Sequence, residues 1–186
     1  MRVLLVGAGG FLGRHVLTEL LTQNHDVIAA DIKPRENHSQ LSWIVGDMIG
    51  LDWKREVGTV DAVICVAASL AMTDTMGDWA SAVASNVIGL QRLVEWSVGS
   101  GVRHFVLTSS AGLYRRPAAT LPITETHEIR PERAYWTTKL LGEQLVLSSS
   151  VRSALSPWAL RLSSPYGAGQ NPRTVLPLFL ERARRG

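Results

Sequence analysis

The 186-residue chain is 46% hydrophobic and 19% charged with a formal net charge of +3, the composition of a folded globular protein of about one domain. Disorder, collagen-like repeats and a disulfide scaffold are excluded. The charge is uneven: residues 1–150 carry 13 Lys/Arg against 15 Asp/Glu, whereas the last 36 residues carry six Arg against Glu181 alone.

The first predicted strand, 2–6, is an apolar run too short for a signal-peptide core. No later stretch approaches the ~18 apolar residues of a membrane span, so the expected setting is the cytoplasm, with no membrane partner. The run leads directly through Gly7-Ala8-Gly9-Gly10-Phe11-Leu12-Gly13 into a predicted helix over 11–23, with Leu12, Val16, Leu17, Leu20 and Leu21 on one stripe. The spacing is G-x-x-G-x-x-G, at Gly7, Gly10 and Gly13, and the strict G-x-G-x-x-G does not fit. Between a strand and a helix, such a loop lets backbone approach a pyrophosphate while the helix N-terminus offers free N–H groups.

A second strand, 26–31, ends on Asp31, 18 residues beyond Gly13, near where a carboxylate accepts hydrogen bonds from an adenosine ribose. A carboxylate there favours NAD over NADP, and Lys33 and Arg35 close by act against that preference. A third strand, 43–46, is followed by Asp47 and Met48, candidates for the adenine edge. The fourth, 61–66, is continuously apolar, as parallel strands buried on both faces are. It contains Cys65, the sole cysteine, which precludes an internal disulfide and reads as a small core residue. The five histidines, 15, 25, 38, 104 and 127, lack zinc-ligand spacing, so no metal is expected.

A helix over 78–98 puts Trp79, Val83, Val87, Leu90 and Val94 on one face. The fifth strand, 103–108, runs into Thr108-Ser109-Ser110. Two long connections, 68–77 and 111–130, the second holding Pro117 and Pro122, leave the carboxyl ends of strands, where open α/β sheets bind ligands. A helix is expected from Pro131 through Leu140, Leu141 and Leu145. On it Tyr135 and Lys139 stand four apart, one turn above the other, and an ammonium beside a phenol draws its pKa down toward a range useful for proton transfer. A hydroxyl at Ser110 could hold a reacting oxygen against that phenol, with Ser109 beside it. The sixth strand is 157–162. The terminal Arg182, Arg184 and Arg185 read as a solvated helix end, and no nucleic-acid partner is expected.

Taken in order, Gly7-x-x-Gly10-x-x-Gly13, Asp31, Gly46-Asp47, Val66-Ala67-Ala68, Asn86-Val87-x-Gly89, Ser109-Ser110-Ala111-x-x-Tyr114, Tyr135-x-x-x-Lys139 and Arg161-x-x-x-x-Tyr166-Gly167 resemble the NAD-dependent epimerase/dehydratase family of extended short-chain dehydrogenases/reductases. The resemblance implies an α/β fold, a doubly wound Rossmann-type parallel sheet with helices on both faces. It implies NAD held by Gly7, Gly9, Gly10, Phe11, Leu12, Gly13, Asp31, Asp47, Met48, Ala67, Ala68, Asn86, Tyr135 and Lys139. Tyr135 would be acid/base, Lys139 would hold the ribose and lower the tyrosine pKa, and Ser110 would orient the reacting oxygen. Asn86 would support the site's backbone. Ser109, Ser110, Tyr135 and Ser164 would meet a small-molecule substrate such as a nucleotide sugar, and the helices over 78–98 and 131–150 would form a homodimer.

Two departures concern the site: the stretch around Cys65 lacks the family's histidine, and Ser164 stands where the family commonly has a substrate-reaching asparagine. A third concerns length. Residues 1–170 would form the NAD-binding domain and 171–186 the start of a substrate lobe otherwise absent. The expected activity is hydride transfer from a secondary alcohol to NAD. The alternatives are a hydroxysteroid-type or other alcohol dehydrogenase, or a non-catalytic NAD-binding module.

Overall fold

The computed structural model describes every residue except 34–40, 71–74, 117, 119, 173 and 186. Arg35, His38, Pro117 and part of the 68–77 connection therefore lie outside the described residues. Six parallel strands form one sheet: β1 (Arg2–Val6), β2 (Asp26–Asp31), β3 (Leu41–Val45), β4 (Ala62–Cys65), β5 (His104–Ser110) and β6 (Ser156–Leu162), in the order β3-β2-β1-β4-β5-β6. The chain winds outward from β1 to β3, then returns past β1 to lay β4 on its other side. The crossovers thus diverge between β1 and β4, opening a crevice at their carboxyl ends.

Side chains alternate across the sheet. Leu5, Val27 and Ala29 face helix α1 (Phe11–Thr22), where Leu17 packs on them. Leu4, Val63, Phe105 and Leu107 face the other way, against α2 (Trp53–Val57), α4 (Leu90–Gly99) and α5 (Ala134–Ser148), which contribute Trp53, Leu93 and Val146. Helices therefore cover both faces, as expected for a doubly wound sheet, but unevenly: Trp158 and Leu160 of the edge strand β6 are 60% and 44% exposed.

The expected helix over 78–98 is α3 (Met76–Val83), a π-turn (Ala84–Gly89) and α4 in succession. The π-turn admits one extra residue per turn, which a 3.6-residue period does not reveal. The helix expected from Pro131 begins instead at Ala134. Arg133 is its N-cap, with extended backbone (φ −134°, ψ 154°), so Pro131 belongs to the approach. The 111–130 connection is a closed stem. A 3-10 turn (Ala111–Leu113) leads into an antiparallel bridge between Tyr114 and Ile129, flanked by Arg115 N–H donating to Glu128 O at 2.9 Å and Arg130 N–H donating to Leu113 O at 2.8 Å. The terminal helix α6 (Val175–Arg185) buries no residue.

Candidate active site

The glycine loop is shaped by what has no room for a side chain. Gly7 has φ +88°, and a β-carbon there would lie 2.5 Å from the Ala67 nitrogen. One on Gly13 would overlap the Gly7 carbonyl oxygen and come within 2.8 Å of the Ala8 α-carbon. Gly10 caps α1 without a side-chain hydrogen bond. The first turn of α1 accordingly presents backbone N–H groups at the β1 edge, and no acidic residue in that turn competes for them.

Asp31, at the carboxyl end of β2, faces this loop. Its Oδ2 accepts the Gly9 N–H at 2.9 Å and its Oδ1 accepts the Lys33 N–H at 3.2 Å, so the carboxylate is fixed in orientation and keeps lone pairs for a ligand hydroxyl. Asp47 turns its Oδ1 to the Ile49 N–H at 2.9 Å, and Met48 is buried against Gly89 of the π-turn.

A cleft of about 750 Å³ joins these parts to the ends of β4, β5 and β6. Of the residues named from sequence, Gly7, Gly10, Phe11, Leu12, Gly13, Asp31, Asp47, Met48, Ala67, Ala68, Ser109, Ser110, Tyr135 and Ser164 line it. Gly9 is bonded to Asp31 and does not line the cleft, and Asn86 and Lys139 are buried and do not line it either. Asn86 is buried and occupied: its Oδ1 accepts the Ser69 N–H at 2.7 Å, while Nδ2 donates to Ser69 O at 2.8 Å and Thr138 Oγ1 at 3.0 Å. It clamps the strand-end segment to α5 and does not reach the cleft.

At the catalytic end Ser110 Oγ accepts the Gly112 N–H at 3.1 Å, which leaves its own proton free to donate. The Ser109 hydroxyl is buried with no hydrogen-bond partner among the described residues. Burial pushes the Tyr135 phenol above its ordinary range and the Lys139 ammonium below its own, since each charged form loses hydration. The expected lowering of the phenol by the ammonium is not seen here: burial alone sets the direction of the shift. Ser164 has φ +46°, a left-handed backbone that Asn or Gly adopts more readily than Ser.

Sequence reasoning missed several neighbours. Ser69, Ser81 and Ser85 add hydroxyls to the cleft wall, the last two about one helical turn apart. Glu143, 1% exposed, continues the four-residue spacing of Tyr135 and Lys139, and that spacing was the available signal. Among the described residues no group of three or more potential ligands is placed to hold a metal, and no helix is long and apolar enough to cross a membrane.

The profile of one protein family matches residues 3–186. The chain belongs to the NAD dependent epimerase/dehydratase family. This member is 33% identical to MoeE5, whose structure in complex with UDP-glucuronic acid and NAD superposes with a TM-score of 0.87 over 100% of this chain and 60% of that one. It is 28% identical to a UDP-glucose 4-epimerase of Mycolicibacterium smegmatis, covering 100% of this chain and 64% of the relative. It is 29% identical to a 3-beta-hydroxysteroid dehydrogenase of Mycolicibacterium neoaurum, covering 90% of this chain and 48% of the relative. The epimerase/dehydratase chain thus spans roughly half to two thirds of the proteins it matches. NAD, the cofactor of the family, fits the residues present: the glycine cradle excludes side chains where a pyrophosphate needs close approach, and the cleft volume lies in the range of cofactor sites.

Proposed function

We propose that this chain binds NAD along the cleft and acts on a secondary alcohol of a nucleotide sugar, with Tyr135 as acid/base. The observation that carries the reading is the convergence in one cleft of Ser110 and Tyr135 with the glycine loop and Asp31. The N–H groups of the loop from Gly7 to Gly13 would meet the pyrophosphate, with Phe11 and Leu12 flanking it. Asp31 would accept from the adenosine ribose, Asp47 and Met48 would border the adenine, and Ala67 and Ala68 would line the path toward Tyr135. Lys139 would reach the second ribose from beneath. NAD, when bound, supplies the hydride acceptor.

Tyr135 moves the proton. Its raised pKa keeps the phenol protonated at neutral pH, the form that returns a proton to a carbonyl oxygen. A cationic neighbour favours the phenolate needed to remove one. Ser110 donates to the reacting oxygen and holds it near the phenol, and Ser164 borders the far side of the substrate. Residues 1–170 carry these groups, and 171–186, including α6, lead toward a substrate lobe. Exposed Ile88, Val98, Leu141 and Leu147 on the π-turn, α4 and α5 suit a helical homodimer interface. The setting is the cytoplasm.

MoeE5, which binds UDP-glucose and UDP-glucuronic acid, supports a UDP-sugar substrate. The hydroxysteroid dehydrogenase relative supports a second reading, oxidation of a free alcohol with release of reduced cofactor. Incubation of the full chain with NAD and UDP-glucose or UDP-glucuronic acid separates them: isomerised sugar nucleotide supports the first, NADH accumulation with a sterol alcohol the second. Binding of NAD with no turnover of either makes the chain a binding module. Tyr135→Phe is expected to lower turnover at least ~100-fold with NAD affinity retained; unchanged turnover removes Tyr135 from the mechanism.

A further inference from the structure

Beneath the catalytic end lies a charge arrangement that proton transfer by Tyr135 does not by itself require. Tyr135, Lys139 and Glu143 stand on one face of α5 at successive turns, with Lys139 3% and Glu143 1% exposed. An ammonium and a carboxylate four residues apart on a helix are neighbours, and burial strengthens their attraction. Yet among the described residues no ion pair joins them.

Arg161 takes Glu143 instead. Its Nε donates to Oε1 at 2.9 Å and to Oε2 at 3.2 Å, and its Nη2 donates to Oε2 at 2.7 Å. The guanidinium arrives from β6, where Arg161 pairs in register with Ser109 of β5 and shares its α5-facing side. Nη1 donates to the Tyr114 hydroxyl at 3.0 Å, and the guanidinium carbon sits 5.0 Å from the centre of the Tyr114 ring. A planar fork that meets both oxygens outcompetes a single ammonium for the same carboxylate.

We infer that Arg161, braced by Tyr114, is a positioning residue: it holds Glu143 away from Lys139, so that the Lys139 ammonium stays unpaired and available to the cofactor ribose and Tyr135. This rests on the proposed function for its last clause only. The depressed pKa of Lys139 agrees with it, since burial dominates, Cys65 opposes it first and Glu143, held by Arg161, opposes it least. The titratable groups that act on Lys139 are Cys65 from β4 and Glu143 from α5, with Arg161 of β6 bonded to the latter.

The test uses the full chain, which has three lysines, Lys33, Lys54 and Lys139, so a side-chain carbon resonance of Lys139 is assignable by loss in Lys139→Met. Without Arg161 the Glu143 carboxylate turns to Lys139 and favours its charged form, so Arg161→Met is expected to raise the Lys139 titration by about one pH unit. NAD affinity measured by calorimetry is expected to fall about tenfold. Arg161→Met with Glu143→Met removes the competing carboxylate and is expected to reverse both changes. Should Arg161→Met fail to fold, Arg161→Lys serves: one ammonium cannot hold both oxygens, and the Lys139 titration moves upward by a smaller amount. A purely structural Arg161 lowers thermal stability and leaves the Lys139 titration in place; that result, or a double variant without reversal, overturns the inference. A titration that moves as expected while NAD affinity does not change upholds the charge arrangement and refutes its service to the cofactor.

Discussion

A β-carbon on Gly13 would collide with the carbonyl of Gly7, backbone against backbone, so neither partner can yield by changing rotamer. Gly13→Ala must therefore push α1 off the β1 edge, dragging the first-turn N–H groups with it. The expected result is a loss of about 1–3 kcal/mol in stability and at least tenfold in NAD affinity, measured by thermal melting and calorimetry. Gly50→Ala is the control: its β-carbon would meet only the Asp47 oxygen, at 3.8 Å, and both quantities should hold. This part of the site was legible because the constraint is local, and the spacing of Gly7, Gly10 and Gly13 records it directly. The Arg161–Glu143 pair was not legible in the same way. Its partners lie 18 residues apart on different elements, and only the sheet register brings them to one face.

At the scale of elements, short apolar and β-branched runs placed all six strands within two residues of their observed ends, most closely for β1, β2 and β4, which are buried on both faces and have little freedom to be anything else. What the periodicity could not carry was irregular backbone. The π-turn at Ala84–Gly89 sits where a regular helix was expected, and it carries Asn86 to Ser69 and Thr138. Thr138 in turn donates to Tyr135 O at 2.9 Å, so one amide ties the end of β4 to the helix bearing the phenol. Asn86→Ala leaves the partners of three hydrogen bonds, the half-buried Ser69 backbone and the buried Thr138 hydroxyl, without Asn86. It is expected to cost about 2–3 kcal/mol, or roughly 4–12 °C in melting temperature. Hydrogen exchange at the Ser69 amide should accelerate by more than tenfold; an unchanged Ser69 amide would mean the clamp bears no weight.

At the scale of the whole molecule, the reversal of strand order at β1 and β4 decides where a ligand is most strongly coupled to folding. The cleft takes its walls from β2 and β3 on one side, through Asp31 and Asp47, and from β5, α5 and β6 on the other, through Ser110, Tyr135 and Ser164. An extended dinucleotide bridging the two halves binds the folded sheet and not the unfolded chain. At a concentration of one hundred times its Kd it should add about 2.7 kcal/mol, or roughly 5–11 °C in melting temperature. The Asp31 carboxylate, already oriented by the Gly9 and Lys33 amides, can accept from a free ribose hydroxyl but repels a 2′-phosphate. NADP at the same concentration is therefore expected to raise the melting temperature by less than half as much. Asp31→Asn should narrow that difference by removing the repulsion while keeping an acceptor oxygen in place. An NADP shift equal to that of NAD in the unaltered chain would show that the cations following Asp31 outweigh its charge, and would reverse the cofactor preference.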